Sequence, residues 1–333
     1  MKGMFAQVLQ SVALGTVLPG LLLSAVKVDE PKLPDKEPVT QLQQQVDQVQ
    51  QPQLQGGATV SVTVPVLKSD GKRKEMDLED YICRVVLGEM PASFEREALK
   101  AQAVAARTYT LRCLGGSKHA GGAICTSSKC CQSYCEPEGY IRNGGTYANV
   151  RKVFEAVQET AGEVIYYNDQ LIMATYFSSA GSTTEDAKAV WGNAFPYLTA
   201  VESPEGDDRF NGETVTFTAK EFQDKLCVTL KGKPESWFGA VNYTVGGGVD
   251  QIRIGGKLYK GTVLREKLGL RSTDFTVTTT DNSITFTTNG YGHRVGLSQY
   301  GADAMAATGS DYEEILLHYY TGTRLGQYSL SDN

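Results

Sequence analysis

A single carboxylate, Glu89, stands between two predicted helices in the sequence LGEMPASF. Apolar residues at helical spacing predict an amphipathic helix over residues 77–88, and Pro91 disfavours helical backbone just before it. Ser93 is suited to cap the next helix, which we predict over residues 94–114. An acid held at such a junction, beside small residues and cations, is a candidate general acid or base. A solvent-exposed glutamate in an interhelical turn is the alternative.

A cysteine cluster follows the second predicted helix. Four of the seven cysteines, Cys125, Cys130, Cys131 and Cys135, lie within eleven residues. Thiolates at this spacing suit zinc, and Cys125 and Cys130 can reach one ion from a single loop. We expect adjacent Cys130 and Cys131 to point apart, so that only one of them ligates, with Cys135 or His119 as a third ligand. A disulfide within the loop is the alternative outside the cytoplasm.

His293 lies among glycines in the segment GYGHRVGLSQYG. This pattern indicates backbone that can approach a ligand closely. A helix predicted to begin near Ser298 would present Gln299 and Tyr300 in its first turn. A hydrogen-bonded core histidine is the alternative. The sequence contains no glycine-rich phosphate loop, dinucleotide fingerprint or nucleophile elbow.

The composition limits the class of partner. The chain has 333 residues, a net charge of −6 and a pI of about 5.3, which argues against a nucleic-acid partner. Hydrophobic residues make up 41% of the chain, enough for a proper core, and the 35 glycines indicate many turns.

The N-terminal region predicts an anchor and a spacer. The one long apolar stretch, residues 4–26, approaches the roughly 20 residues that a bilayer span needs and matches a cleavage site poorly. We therefore predict an uncleaved membrane anchor over residues 1–26, with a removed signal segment as the alternative, and an extracytoplasmic location for the rest. Residues 27–57 are rich in Gln and Pro and predict a disordered linker.

Residues 58–333 are predicted to form a single mixed α+β domain. Alternating valines at residues 60–66 predict a half-buried strand, and residues 163–177 predict a hairpin. The C-terminal third is strand-rich and ends in two short predicted helices, at residues 298–307 and 312–320.

Three blocks of sequence together resemble the stage II sporulation protein D family, also called the SpoIID/LytB domain. They occupy residues 89–109, 176–198 and 290–323, and they follow one another in the family's order. The resemblance covers residues 59–326. An apolar N-terminal segment followed by a spacer is also similar to the sporulation members.

The resemblance implies a peptidoglycan lytic transglycosylase that acts on glycan strands whose stem peptides have been removed. Glu89 corresponds to the family's catalytic glutamate. It would protonate the oxygen between N-acetylmuramic acid and N-acetylglucosamine, then deprotonate the muramic C6 hydroxyl, which attacks its own anomeric carbon and leaves a 1,6-anhydro end. Because the nucleophile is intramolecular, a second carboxylate is not required. Partial burial should raise the pKa of Glu89, and a nearby Lys100 or Arg107 should oppose that shift.

The same resemblance implies a set of residues along the glycan cleft. These are Lys100, Arg107, Tyr176, Ser178, Ser179, His293, Gln299 and Tyr300, with Glu185 as a group that orients a partner. Tyrosine rings and hydroxyls suit sugars, and Arg107 suits the carboxylate of the muramic lactyl group.

The resemblance also implies a cofactor and partners. Some family members bind zinc through a cysteine and a histidine five residues later, whereas Cys130 occupies that position after Cys125 here. Zinc would then be structural or loop-ordering. The expected partners are an amidase, the stage II sporulation protein P, and a membrane scaffold, protein M, at the mother-cell membrane facing the septal wall during spore engulfment.

Two other functions remain open at this point. Other members of the domain family are non-catalytic, wall-binding enhancers of an N-acetylmuramoyl-L-alanine amidase. A zinc hydrolase that uses the cysteine loop, with Glu89 as its base, is the third hypothesis.

Overall fold

The computed structural model describes residues 62–114, 116, 119–205 and 209–329. The predicted anchor at residues 1–26 and the predicted linker at residues 27–57 lie outside these ranges. None of the helices within the described ranges combines the length and hydropathy that a bilayer span requires.

The described residues contain nine α-helices and fourteen strands, so the predicted mixed class is confirmed. The first half runs β1 (Thr63–Leu67), β2 (Arg73–Asp77), α1 (Leu78–Glu89), α2 (Arg96–Leu114), β3 (Ile124–Cys125), α3 (Pro137–Arg142), α4 (Tyr147–Glu159), β4 (Glu163–Tyr167), β5 (Gln170–Leu171), β6 (Tyr176–Phe177) and α5 (Ala187–Trp191). The second half runs β7 (Glu213–Thr218), α6 (Ala219–Leu226), β8 (Phe238–Tyr243), β9 (Val249–Ile254), β10 (Lys257–Lys260), α7 (Gly261–Leu268), β11 (Phe275–Thr279), β12 (Ser283–Thr288), β13 (Leu297–Ser298), α8 (Gln299–Ala307), α9 (Tyr312–Tyr319) and β14 (Arg324–Gln327).

The α1–α2 corner forms close to where the sequence predicts it. Asp77 caps α1 by accepting hydrogen bonds from two backbone N–H groups of the first turn, and the helix ends at Glu89. The N–H of Glu95, before α2, donates to the carboxylate of Asp303 in α8 (2.6 Å). A distant segment therefore caps the second helix where the sequence predicts Ser93.

Helix α2 is the centre of the first core. It contacts α1, α4, α8, α9 and β4, and its alanines are fully buried. Small side chains allow the backbones of these neighbours to approach closely, and this close packing is what places the ends of α1 and α8 together.

The predicted hairpin at residues 163–177 is only partly correct. Strand β4 turns through Asn168 and Asp169, both with positive φ, into the two-residue strand β5. Residues 176–177 leave this sheet and form β6, which pairs in parallel with β13. This long-range pairing places Tyr176 beside Leu297, two residues before Gln299.

Residues 213–288 build a second core of their own. Two antiparallel three-stranded sheets, in the orders β10-β9-β8 and β11-β12-β7, pack with α6 and α7 around aromatic side chains that include Phe222, Trp237 and Phe286. Strands β11 and β12 of the second sheet lie in the C-terminal third, which the sequence predicts to be strand-rich.

Candidate active site

Glu89 is partly buried at the carboxyl end of α1. Its Oε1 accepts a hydrogen bond from the backbone N–H of Ser133 at 2.5 Å, and Gln299 donates a side-chain hydrogen bond to the same carboxylate. Burial raises the pKa of Glu89 above its ordinary value, and the two hydrogen bonds lower it only in part. The negative end of the helix dipole also disfavours the carboxylate form. The site therefore favours an acid that can hold its proton.

The loop that carries Ser133 is fastened against α1. Its Tyr134 backbone passes so close to Gly88 that a Cβ at this glycine would lie 2.8 Å from the Tyr134 nitrogen. The N–H of Cys135 donates to the carbonyl of Arg84 at 2.9 Å. Arg84 also pairs with Glu136 (2.9 Å). Only a glycine at position 88 allows the loop to reach the carboxylate.

Gln299 connects the acid to the interior of α2. It is the first residue of α8, a helix capped by the Ser298 hydroxyl, and its side chain is 5% exposed. Its amide donates to the Oε1 atom of Gln102 at 3.3 Å, and Gln102 is fully buried. These contacts fix the orientation of the amide that reaches Glu89.

Tyr176 completes the group around the acid. Its side chain is partly buried, and its hydroxyl donates to Oε1 of Gln132 at 2.8 Å. Burial raises the pKa of Tyr176, and the charge of Glu89 raises it further, so the two side chains interact electrostatically. Glu89, Tyr176 and Gln299, which the sequence analysis selected from three separate blocks, thus meet in one place.

His293 supports the backbone of β6. Its ring contacts the rings of Phe177 (centroids 5.5 Å apart) and Trp191 (5.2 Å), and it forms a hydrogen bond with the Tyr176 backbone. Burial, and then the charge of Arg265, lower the pKa of His293 to about 4, so the ring is neutral near pH 7. The contacts of its ring are to protein groups that position Tyr176.

The small-residue loop after β6 is held by α8 and by the glycine-rich segment. The carbonyl of Ser178 accepts from the N–H of Tyr300 (3.0 Å), and Ser179 forms two backbone hydrogen bonds with Tyr291 (3.1 and 2.7 Å). Ser179 is buried, whereas the Ser178 side chain is partly exposed. The Tyr300 hydroxyl accepts from Arg209 at 2.8 Å. Of the three predicted cleft residues Ser178, Ser179 and Tyr300, Ser178 is the most exposed.

Arg107 has a structural role, which corrects its assignment to the cleft. Its side chain is 0% exposed, and its guanidinium binds both carboxylate oxygens of Glu79 (2.6 and 2.8 Å) and the carbonyl of Glu163 (3.0 Å). Because every nitrogen of the guanidinium is used in folding, none is available for a lactyl carboxylate.

Lys100 is occupied by a surface ion network. Its ammonium pairs with Glu97 (2.7 Å) and with Glu159 (3.1 Å). Glu97 belongs to α2 and Glu159 to α4, and their charges neutralise the ammonium. The structure does not bring Lys100 or Arg107 into the group around Glu89. The expectation that these cations oppose the rise in the pKa of Glu89 is therefore wrong.

Glu185 is also buried and structural. It is 0% exposed, lies 3.6 Å from the guanidinium of Arg294, and accepts hydrogen bonds from Thr244 (2.8 Å) and from the N–H of Gly248 (3.0 Å). These partners join the first core to residues 213–288. The carboxylate therefore holds protein segments together from a buried position.

The cysteine loop forms a four-ligand cluster just before Ser133. The ligand atoms of His119, Cys125, Cys130 and Cys131 all lie within 4.8 Å of one another. The N–H groups of Cys130 and Cys131 both donate to the carbonyl of Ser127 (2.9 Å each), so the backbone curls and both thiols point inward. The expectation that these two residues point apart is wrong for this reason.

The cluster matches the donor set of a structural zinc site. Zn–S bonds of about 2.3 Å in a tetrahedron place two sulfurs about 3.8 Å apart. The Cys130 and Cys131 sulfurs are 4.0 Å apart, and the His119 Nε2 atom lies 3.4 Å from the Cys130 sulfur. Cys135 is outside the cluster, because its thiol faces the Glu136 carbonyl (3.5 Å). All seven cysteines fall within the described residues, and none of them is joined in a disulfide.

Three residues of the site carry no signal that sequence reasoning could use. Ser133 acts through its backbone, and Gln132 and Gln102 are ordinary amides until the fold buries them. Their positions next to Glu89 and Tyr176 depend on contacts between segments far apart in the chain.

Comparison with known proteins identifies relatives of this chain. A family model described as stage II sporulation protein (SpoIID) matches residues 68–167. The stage II sporulation protein D of Bacillus subtilis (strain 168) is 40% identical over 275 residues, covering 80% of this chain and 79% of that protein. The corresponding protein of Bacillus amyloliquefaciens is 39% identical over the same shares. A Bacillus subtilis protein named amidase enhancer is 31% identical over 303 residues, covering 73% of this chain and 40% of that protein.

The described residues thus form a mixed helix and strand domain in which one acid, Glu89, is held at a helix corner. The chain belongs to the stage II sporulation protein D family, which associates it with sporulation.

Proposed function

We propose that this chain is a peptidoglycan lytic transglycosylase that cleaves the bond between N-acetylmuramic acid and N-acetylglucosamine in peptide-stripped glycan strands. The observation that carries the proposal is the environment of Glu89. Its carboxyl is partly buried at a helix end, its pKa is raised, and it is bonded by two uncharged donors, the Ser133 N–H and the Gln299 amide. Such an acid can both give and take a proton.

In the first step, protonated Glu89 gives its proton to the glycosidic oxygen as the bond to the muramic anomeric carbon breaks. The N-acetylglucosamine leaves with that proton. The charge that remains on Glu89 is stabilised by the hydrogen bonds from Ser133 and Gln299.

In the second step, the Glu89 carboxylate takes the proton of the muramic C6 hydroxyl while the C6 oxygen bonds to the anomeric carbon. The product is a 1,6-anhydro end, no water is consumed, and the acid is regenerated. One carboxylate is sufficient because the nucleophile belongs to the substrate. The buried carboxylates are hydrogen-bonded elsewhere, Glu185 to Thr244 and Gly248, and Glu205 to Ser298.

Glycan contacts are assigned to the accessible groups beside Glu89. Tyr176 and Ser178 are partly exposed and can meet a sugar directly. Gln299 and Tyr300, which are 5% and 8% exposed, together with Ser179 and His293, position these groups from behind. Arg107, Lys100 and Glu185 are left out of the binding surface.

His119, Cys125, Cys130 and Cys131 would hold a zinc ion. When bound, the ion would supply a structural cross-link between the end of β3 and the loop that leads to Ser133. The acid and base steps use Glu89 alone.

We assign the chain to the sporulation cell wall. An N-terminal anchor at residues 1–26 would keep the enzyme at the mother-cell membrane, on the extracytoplasmic side, during engulfment. The expected partners are the amidase and scaffold named by family resemblance, stage II sporulation proteins P and M. The amidase would remove stem peptides and so supply the substrate.

A second candidate function is that of an amidase enhancer. The relative that bears this name supports it. In that case Glu89 would have no chemical role, and the same surface would bind the wall and stimulate an amidase.

The two functions are distinguished by incubating the purified protein with peptide-free glycan strands and identifying the new ends by mass spectrometry. The transglycosylase predicts 1,6-anhydro-muramic ends that Glu89→Gln abolishes and that Glu95→Gln, which changes an exposed glutamate six residues later, does not. Absence of such ends, together with stimulation of an amidase by Glu89→Gln, would establish the enhancer.

A further inference from the structure

Gln132 lies at the centre of a buried group of hydroxyls. Its side chain is 1% exposed. Its Nε2 atom lies 2.9 Å from Thr110 Oγ1 and 3.2 Å from the Tyr81 hydroxyl, and its Oε1 atom lies 2.8 Å from the Tyr176 hydroxyl. No motif pointed to this residue.

The orientation of the Gln132 amide is fixed by Thr110. The Thr110 hydroxyl has one proton, and it donates this proton to the carbonyl of Ala106 at 2.8 Å. Thr110 can therefore only accept from Gln132, and the amide nitrogen must face it. The amide oxygen must then face Tyr176, which has to be the donor in that contact.

Tyr176 thereby uses its only hydroxyl proton in the hydrogen bond to Gln132. Its oxygen still has lone pairs, so toward a ligand the hydroxyl can accept a hydrogen bond and cannot donate one. We propose that Gln132 is a positioning residue that turns Tyr176 into an obligate acceptor, so that this part of the cleft selects a sugar hydroxyl over a carbonyl or carboxylate oxygen. The inference rests on the proposed function only in taking a glycan as the ligand.

Gln132 is adjacent in the chain to the residue that holds the acid. Its neighbour Ser133 donates to Glu89, so two consecutive residues of one loop hold both the acid and the acceptor. A single loop therefore sets the spacing between the group that transfers protons and the group that orients a hydroxyl.

The first test changes only the ligand. Peptide-free glycan oligosaccharides in which single hydroxyls are replaced by methoxy groups keep an acceptor oxygen and lose the donor. Binding is measured with full-length Glu89→Gln protein, which cannot turn over the ligand. We expect one methoxy position to weaken binding about tenfold, as loss of one hydrogen bond does, and expect Tyr176→Phe to bind both ligands equally.

The second test is a double-mutant cycle between Gln132→Met and Tyr176→Phe, measured as affinity in the same background. Each substitution should weaken binding about tenfold, and the double variant should also lose about tenfold because both remove one function. Gln170→Met, at an exposed glutamine, is the matched control and should change nothing. If Gln132→Met does not fold, the ligand test alone decides the proposal.

The outcomes separate this inference from the proposed function. Additive losses of about a hundredfold in the double variant would overturn the acceptor assignment, even if the wild-type protein makes anhydro ends. So would equal discrimination against the methoxy ligand by Glu89→Gln protein with and without Tyr176→Phe. Non-additive losses in the double-mutant cycle, together with a wild-type protein that makes no anhydro ends, would support the acceptor assignment and refute the transglycosylase. A protein that does not bind peptide-free glycan at all would overturn both.

Discussion

The backbone N–H of Ser133 donates to the carboxylate of Glu89 at 2.5 Å, although the two residues are 44 positions apart in the chain. This contact joins the end of α1 to the loop that follows the cysteine cluster. It also connects three properties that can be measured separately: the pKa of Glu89, hydrogen exchange in the loop and zinc binding by the cysteine cluster.

Removing the Ser133 N–H should impair the reaction. Ser133→Pro deletes the donor, whereas Ser133→Ala keeps it and removes only the hydroxyl. We expect Ser133→Pro to lower kcat by about tenfold or more, because the carboxylate formed in the first step loses a hydrogen bond. Ser133→Ala should keep nearly full activity. Equal rates for the two variants, at equal folded fractions, would show that this N–H has no part in the chemistry.

The stability of Glu89→Gln should depend on pH. Burial raises the pKa of Glu89 in the folded protein, so folding favours the protonated acid. The corresponding stability is present below the unfolded pKa of about 4.3 and is lost as the pH rises through the higher folded pKa. A neutral glutamine avoids this loss. The free energy of unfolding of Glu89→Gln should therefore exceed that of wild type near pH 7 and match it near pH 4, as measured by denaturant unfolding at the two pH values.

Substitution of Arg107 should affect folding and not glycan affinity. Arg107→Met leaves the Glu79 carboxylate without its buried partner, and breaking a buried pair costs about 3–5 kcal/mol. Lys100→Met removes a charge from a largely surface network and should cost about 1 kcal/mol or less. Denaturant unfolding gives both values. If folded Arg107→Met protein binds glycan much more weakly than wild type, the cleft assignment made from sequence is restored.

The metal content should depend on Cys131 and not on Cys135. Cys131→Ser removes a ligand from the cluster, whereas Cys135→Ser changes a thiol that faces a carbonyl outside it. Metal analysis of protein purified with zinc should find about one equivalent in wild type and Cys135→Ser, and substantially less in Cys131→Ser. Hydrogen exchange at Ser133 should be faster in Cys131→Ser. Equal zinc in all three proteins would contradict the four-ligand assignment.

The parts of the site that the sequence predicts well are those with local signals. The α1–α2 corner follows from apolar periodicity and Pro91, and these place Glu89 at a helix end without knowledge of the fold. The prediction that Tyr176 and Gln299 share a site with Glu89 came from resemblance to a family. No periodicity in the sequence predicts the pairing of β6 with β13.

The errors have tertiary causes. The sequence alone gives no reason to expect that Arg107 is buried. In the structure five neighbouring elements surround α2 and bury Arg107 against Glu79. Cys130 and Cys131 point apart in extended backbone, whereas the turn closed by Ser127 brings their thiols together. Ser133 contributes a backbone group that every residue but proline possesses, so its role is visible only in the structure.

The most direct test of the central claim is digestion of peptide-free glycan strands in ¹⁸O-labelled water, with the new ends identified by mass spectrometry. Glu89 acting with an intramolecular nucleophile predicts 1,6-anhydro-muramic ends without ¹⁸O, formed by wild type and not by Glu89→Gln. Reducing ends that carry ¹⁸O, or undiminished turnover by Glu89→Gln, would contradict it.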